Sequence, residues 1–162
     1  MDWLEGLSDH KYREFVLDDH DEDLQPITIS YFDRELEVLS GPDNTPIPHR
    51  RVLLGKSWYN AITAGKDGSY LMYKVASSVM APTIMIGDDV LVSVSEHFDN
   101  DNGSVWLFYY GDKYLIQRIQ RRPTGTLQIS GDNPTTPVVE VATDEIGLIG
   151  KVIWQGRRLT HS

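Results

Sequence analysis

The chain contains no cysteine. Disulfides and thiolate metal sites are therefore excluded. It also lacks any run approaching the roughly 18 apolar residues that a membrane-spanning helix needs. The start, Met1-Asp2-Trp3-Leu4-Glu5, has neither the basic nor the apolar stretch of a secretory signal. These absences fit a cytoplasmic protein, and 162 residues suffice for one domain with a real core. Metal spacing is missing too: His10, His20, His49, His97 and His161 are scattered. Asp99-Asn100-Asp101-Asn102-Gly103 fails as a calcium loop, because Gly103 at the sixth position would put Phe98 at the first ligand position. It reads as a turn. Gly65-Lys66-Asp67-Gly68 lacks the rest of a phosphate loop. No metal and no cofactor are expected.

A basic stripe is also lacking. The net charge is −9. Residues 1–45 carry 13 acids and 3 bases, and residues 46–162 carry 11 acids and 12 bases. The acid thus sits in a leader and the remainder is near neutral. Phosphate neutralisation supplies most non-specific affinity for nucleic acid, so this chain is a poor DNA binder by itself. The leader reads as a solvated linker, with a partner-docking tail as the alternative. Arg118, Arg121 and Arg122 read as a solvated strand end, with a contact for the acidic leader or for a partner as the alternative.

What is present is a succession of short strand signals. Residues 1–24 form an acidic flexible leader with at most a short helix around Tyr12–Leu17. Residues 25–50 hold two extended pieces, Pro26–Tyr31 and Leu36–Leu39, and a loop rich in Pro, Gly and Asn. Residues 51–162 form the main domain. Ser57 is the expected N-cap of a helix over Trp58–Thr63, with Gly65 just past its end. Strands are expected at Tyr70–Ala76, Asp89–Val94, Val105–Tyr110, Lys113–Gln120, Thr126–Ser130 and Leu148–Gln155. Gly111-Asp112 is a hairpin signal. Trp106, Phe108, Tyr110 and Tyr114 read as core and cross-strand packing on that hairpin. Regular short strands with one or two short helices imply a mostly β sheet or barrel.

One stretch is specific: Val79-Met80-Ala81-Pro82-Thr83-Ile84-Met85-Ile86-Gly87-Asp88-Asp89-Val90-Leu91-Val92. It resembles the nucleophile motif of LexA, phage lambda-like repressors, UmuD and signal peptidase. Three further segments resemble the same family in order. They are Leu115-Ile116-Gln117-Arg118-Ile119, Ser130-Gly131-Asp132-Asn133-Pro134 and Ile149-Gly150-Lys151-Val152. The likeness spans roughly residues 14–158 and implies the LexA/signal-peptidase-like β fold.

The resemblance implies a serine before the methionine and a lysine on the strand at 117. A lysine of lowered pKa removes the serine proton, and the alkoxide attacks a backbone carbonyl. Here those positions are Val79 and Gln117. Valine has no nucleophilic atom, and an amide is no base near neutral pH. Ser78 is one step out of register. Lys113 is four residues, roughly 13 Å, along the strand from Gln117. The family's cleavage site falls at Ser40-Gly41, a mild departure from Ala-Gly.

The expected protein is therefore a pseudo-peptidase: the non-cleaving C-terminal domain of a phage-type repressor of a bacterial cell. It would form a homodimer or higher homo-oligomer and make operator binding cooperative. DNA would be reached only through a helix-turn-helix, which residues 1–50 are too acidic and too rich in breakers to supply. An antirepressor protein is the natural off-switch. The final strand is the expected self-association edge, through Ile149, Lys151, Val152, Ile153 and Trp154. The alternatives are an active self-cleaving serine–lysine peptidase or a UmuD-like protein.

Overall fold

The computed structural model describes residues 26–32, 50–98 and 102–159. Among them the elements are β1 (Ile27–Phe32), β2 (Arg50–Leu54), α1 (Lys56–Thr63), β3 (Tyr70–Lys74), β4 (Asp89–Ser93), β5 (Asn102–Tyr110), β6 (Lys113–Arg121), β7 (Leu127–Ser130), β8 (Val139–Val141) and β9 (Ile146–Gly156). The strands make one sheet in the order β2-β1-β3-β4-β9-β5-β6-β7-β8. The mostly β class expected from the strand spacing is the class observed. The ends of the sheet are open, so it is not a closed barrel. The chain divides into two compact units: Leu53–Lys66, with α1, falls in one, and the residues from Asp67 onward fall in the other. The expected helix around Tyr12–Leu17 and the piece at Leu36–Leu39 lie outside the described residues.

Helix α1 begins one turn-fraction earlier than its sequence suggests. Gly55, extended at φ −60° and ψ 136°, is the N-cap in place of Ser57. Its carbonyl accepts the Tyr59 N–H at 2.9 Å. The helix ends where Ala64 turns left-handed at φ 55°.

Alternation along the strands sorts the core into two clusters. Val90 and Val92 of β4, Leu107 of β5 and Tyr114 and Ile116 of β6 join Leu71, Tyr73, Met80 and Ile84 in the first. Trp106 and Phe108 of β5, Ile119 of β6, Leu127 and Ile129 of β7 and Val141 form the second, on the opposite face. The hairpin closes as expected: Tyr110 pairs with Lys113 across Gly111-Asp112. Trp106 and Phe108 lie in the second cluster with Tyr110 beside them, whereas Tyr114 belongs to the first, because it pairs with Tyr109.

Strand β9 is central, not an edge. Its residues 151–156 pair with β4 and its residues 146–151 pair with β5. Lys151 alone pairs on both sides, with Ser93 and with Trp106. Past Lys151 the start of β5 leaves β9 and follows β6 alone, Val105 pairing with Arg118. The sheet therefore forks at Lys151. Gly150 permits the crossing: a Cβ there would stand 2.5 Å from the Ser93 carbonyl oxygen and 2.7 Å from Val92 Cγ1.

Candidate functional site

The motif forms a closed loop between β3 and β4. Its base is tied by Val75 N–H to the Asp88 carbonyl and Gly87 N–H to the Val75 carbonyl, both at 2.8 Å. Gly87 takes φ 92°, which its lack of a side chain allows. Met80 and Ile84 are 1% and 2% exposed, so the loop is nailed to the core by two apolar side chains. The Ala81-Pro82 peptide bond is cis.

The turn after β7 grips this loop. Asn133 N–H donates to the Val79 carbonyl at 3.0 Å, and Asn133 Nδ2 donates to the Ser78 carbonyl at 3.0 Å. Thr136 Oγ1 reaches the Val79 carbonyl at 3.4 Å. Thr83 Oγ1 donates to Asp132. Asp132 in turn accepts a bidentate pair from Arg118, Nε at 2.6 Å and Nη2 at 3.0 Å. Arg118 also donates to the Gly103 carbonyl at 2.8 Å.

The two positions that the resemblance singles out sit on segments that meet here. Arg118 pairs with Ser130, so Gly131, one step further, stands level with Gln117. A Cβ on Gly131 would run into the Val79 carbonyl oxygen. Val79 packs half-buried against the first cluster. Gln117 is 7% exposed and lies directly across from Trp106, on the face of the second cluster. The Trp106 indole N–H is buried and has no hydrogen-bond partner among the described residues. Ser78 is exposed, and Lys74 and Lys113 are exposed. Ser40 and Gly41 lie outside the described residues.

Two groups at the end of β9, Arg157 and Gln155, hold the loop from the other side, and neither stood out in the sequence. Asp88 is 1% exposed and accepts from Arg157, Nε and Nη2 each at 2.9 Å. Its Oδ2 also accepts the Met85 N–H at 2.8 Å. Gln155 Nε2 donates to the Thr83 carbonyl at 2.9 Å. Of the expected solvated strand end, Arg121 and Arg122 are exposed, whereas Arg118 is half-buried in the contacts above. Arg121 lies over the Phe98 ring at 5.6 Å, and Arg122 donates to Gln128 at 2.5 Å.

Both aspartates of the site are held below the ordinary carboxylate range. Burial pushes Asp88 up, but hydrogen bonds from Arg157 and Met85, with the Arg157 charge, outweigh it. The Arg118 hydrogen bonds lower Asp132 against a smaller burial effect, and Thr83 lowers it further. Folding thus favours the ionised forms. The stability gained is whole above the unfolded value of 3.8 and drains away as the pH falls through the lower folded values. Urea midpoints should fall steeply below about pH 4. Asp88→Asn should flatten that limb while losing about 2 kcal/mol at neutral pH, the worth of charged hydrogen bonds to a buried group. An unchanged acid limb in that variant would refute the assignment.

Among the described residues no three His, Asp or Glu side chains come together as a metal cage, and no helix is long and apolar enough to cross a membrane.

A nucleophile-type loop pinned by an Asp-Asn-Pro turn, on a forked and mostly β sheet, places the domain in the class of LexA-type peptidase-like folds. The profile of the Peptidase S24-like family matches residues 40–153, well over half of the chain. The chain belongs to that family, the superfamily of the LexA, UmuD and phage CI C-terminal domains. No curated protein matches it significantly.

Proposed function

We propose that this domain is the non-cleaving regulatory half of a repressor of the LexA and phage CI kind. It self-associates and so makes operator binding by attached DNA-binding heads cooperative. The observation that carries the reading is the fixed register at Val79. Its carbonyl and that of Ser78 accept four hydrogen bonds, and on this reading Val79 stands at the nucleophile position with a side chain that has no nucleophilic atom. Gln117, the position of the base, is an amide. Without self-cleavage, relief of repression falls to a separate protein that binds this domain, an antirepressor. DNA contact belongs to an attached helix-turn-helix.

Self-association is best supported at the first half of β9. Lys151 is paired on both edges, so it is withdrawn as an edge contact. Val152, Ile153 and Trp154 already pair toward β4, and their other edge opens on the fork. Ile149 belongs to the half that pairs only with β5. Beside it Leu148 and Val94 are each 40% exposed. A two-fold contact of this half with its copy covers both side chains.

Sedimentation velocity at tens of micromolar should give a dimer or larger. Leu148→Glu should weaken association on the order of tenfold or more, since it puts a charge at the centre of the contact. A strict monomer at high concentration would end the self-association reading. Purified chain held at alkaline pH should stay intact; a cut would restore the active-peptidase or UmuD-like alternative.

A further inference from the structure

We propose that Thr83–Asp88 is a two-sided clasp joining the arms of the forked sheet, so that loosening either end releases the other. Past Lys151 one arm continues as β4 with the end of β9, and the other as β5, β6 and β7. Thr83 bonds to both. Its hydroxyl donates to Asp132, which Arg118 anchors to β6. Its carbonyl accepts from Gln155 at 2.9 Å and from Arg157 at 3.4 Å, on the other arm. Five residues on, Asp88 takes the Arg157 guanidinium.

Between these ends the chain has little freedom. Ile84 is 2% exposed, and Asp88 holds the Met85 N–H, closing the turn on itself. A short, internally bonded segment transmits displacement as a rigid piece, because packed cores switch between arrangements and do not stretch. Among the described residues no hydrogen bond joins Asp132 to Arg157, so the segment is their polar link. At the Arg157 end the side chain is 41% exposed while its partner Asp88 is 1% exposed. A group that draws the guanidinium outward would act on the loop bearing Val79 without touching it.

The test is residue-resolved amide exchange by NMR on the full chain, each rate taken relative to the β3 amide of Met72. Thr83→Val removes the hydroxyl from Asp132 and leaves Arg157 in place. Arg157→Gln removes the guanidinium and leaves Asp132 in place. A clasp predicts effects across the segment. Thr83→Val should speed the Gly87 and Asp88 amides, and Arg157→Gln should speed the Asn133 amide that bonds Val79, each about tenfold. Arg157→Lys, which keeps the charge, should recover part of the protection. Effects confined to each variant's own side would overturn the proposal. Neither readout involves cleavage or association, so the outcome stands apart from the repressor reading.

Discussion

Gly131→Ala is expected to destabilise the domain by about 3 kcal/mol and to lower its melting temperature by on the order of 10 °C. Gly131 has no positive φ, so alanine fits its backbone. The difficulty is space. The new methyl group would overlap the Val79 carbonyl oxygen, and it would stand 3.1 Å from Thr136 Cγ2. Something must move, and the first of these neighbours is main chain. Pushing the loop away breaks the Asn133 bonds to Ser78 and Val79, each worth about 1 kcal/mol. Overpacking adds about 1 to 3 kcal/mol. Gly125→Ala is the control: it meets open space but sits at φ 88°, so it should cost only about 1 kcal/mol, from backbone strain. Thermal melts of the two variants separate crowding from conformation. Equal, small shifts would mean that the loop does not rest on Gly131.

What could be read from the sequence was local. The hairpin at Gly111-Asp112 is set by neighbouring residues, and it formed where expected. Strand boundaries moved by one to three residues, as with Ile146–Gly156 against Leu148–Gln155. Two short strands, Arg50–Leu54 and Val139–Val141, were missed because five and three residues carry almost no periodicity. The N-cap went to Gly55 because an extended glycine needs no side-chain bond to start a helix. The edge assignment of β9 failed for a different reason. A final strand need not be peripheral, and only the pairing of residues far apart shows β9 inserted between β4 and β5. The same distance hid the Asp88–Arg157 pair, whose members are 69 residues apart. By contrast, the expectation at Val79 and Gln117 rests on several motifs that share one register. Composition alone would never have isolated a valine or a glutamine.

That register also gives the largest effect, an on–off change. The double variant Val79→Ser, Gln117→Lys should cut itself near Ser40-Gly41 at alkaline pH, and each single variant should remain at least about a thousandfold slower, since nucleophile and base act as a unit. The surroundings favour the base. Position 117 is 7% exposed and faces the buried Trp106, so an introduced amine there is poorly hydrated and its pKa falls. The surroundings favour the nucleophile too. Four hydrogen bonds fix the carbonyls at 78 and 79, so a hydroxyl at 79 starts from a held backbone. The remaining requirement is that the two side chains meet past Gly131, with Val79 now packed against the first cluster and Gln117 paired across from Trp106. A serine is smaller than valine and loses little by leaving apolar neighbours, so the turn toward 117 costs less than the valine contacts would suggest. Mass spectrometry of the incubated protein decides the matter. A double variant that melts cooperatively, like the parent, yet never breaks would mean that the likeness at 79 and 117 is one of sequence and not of place.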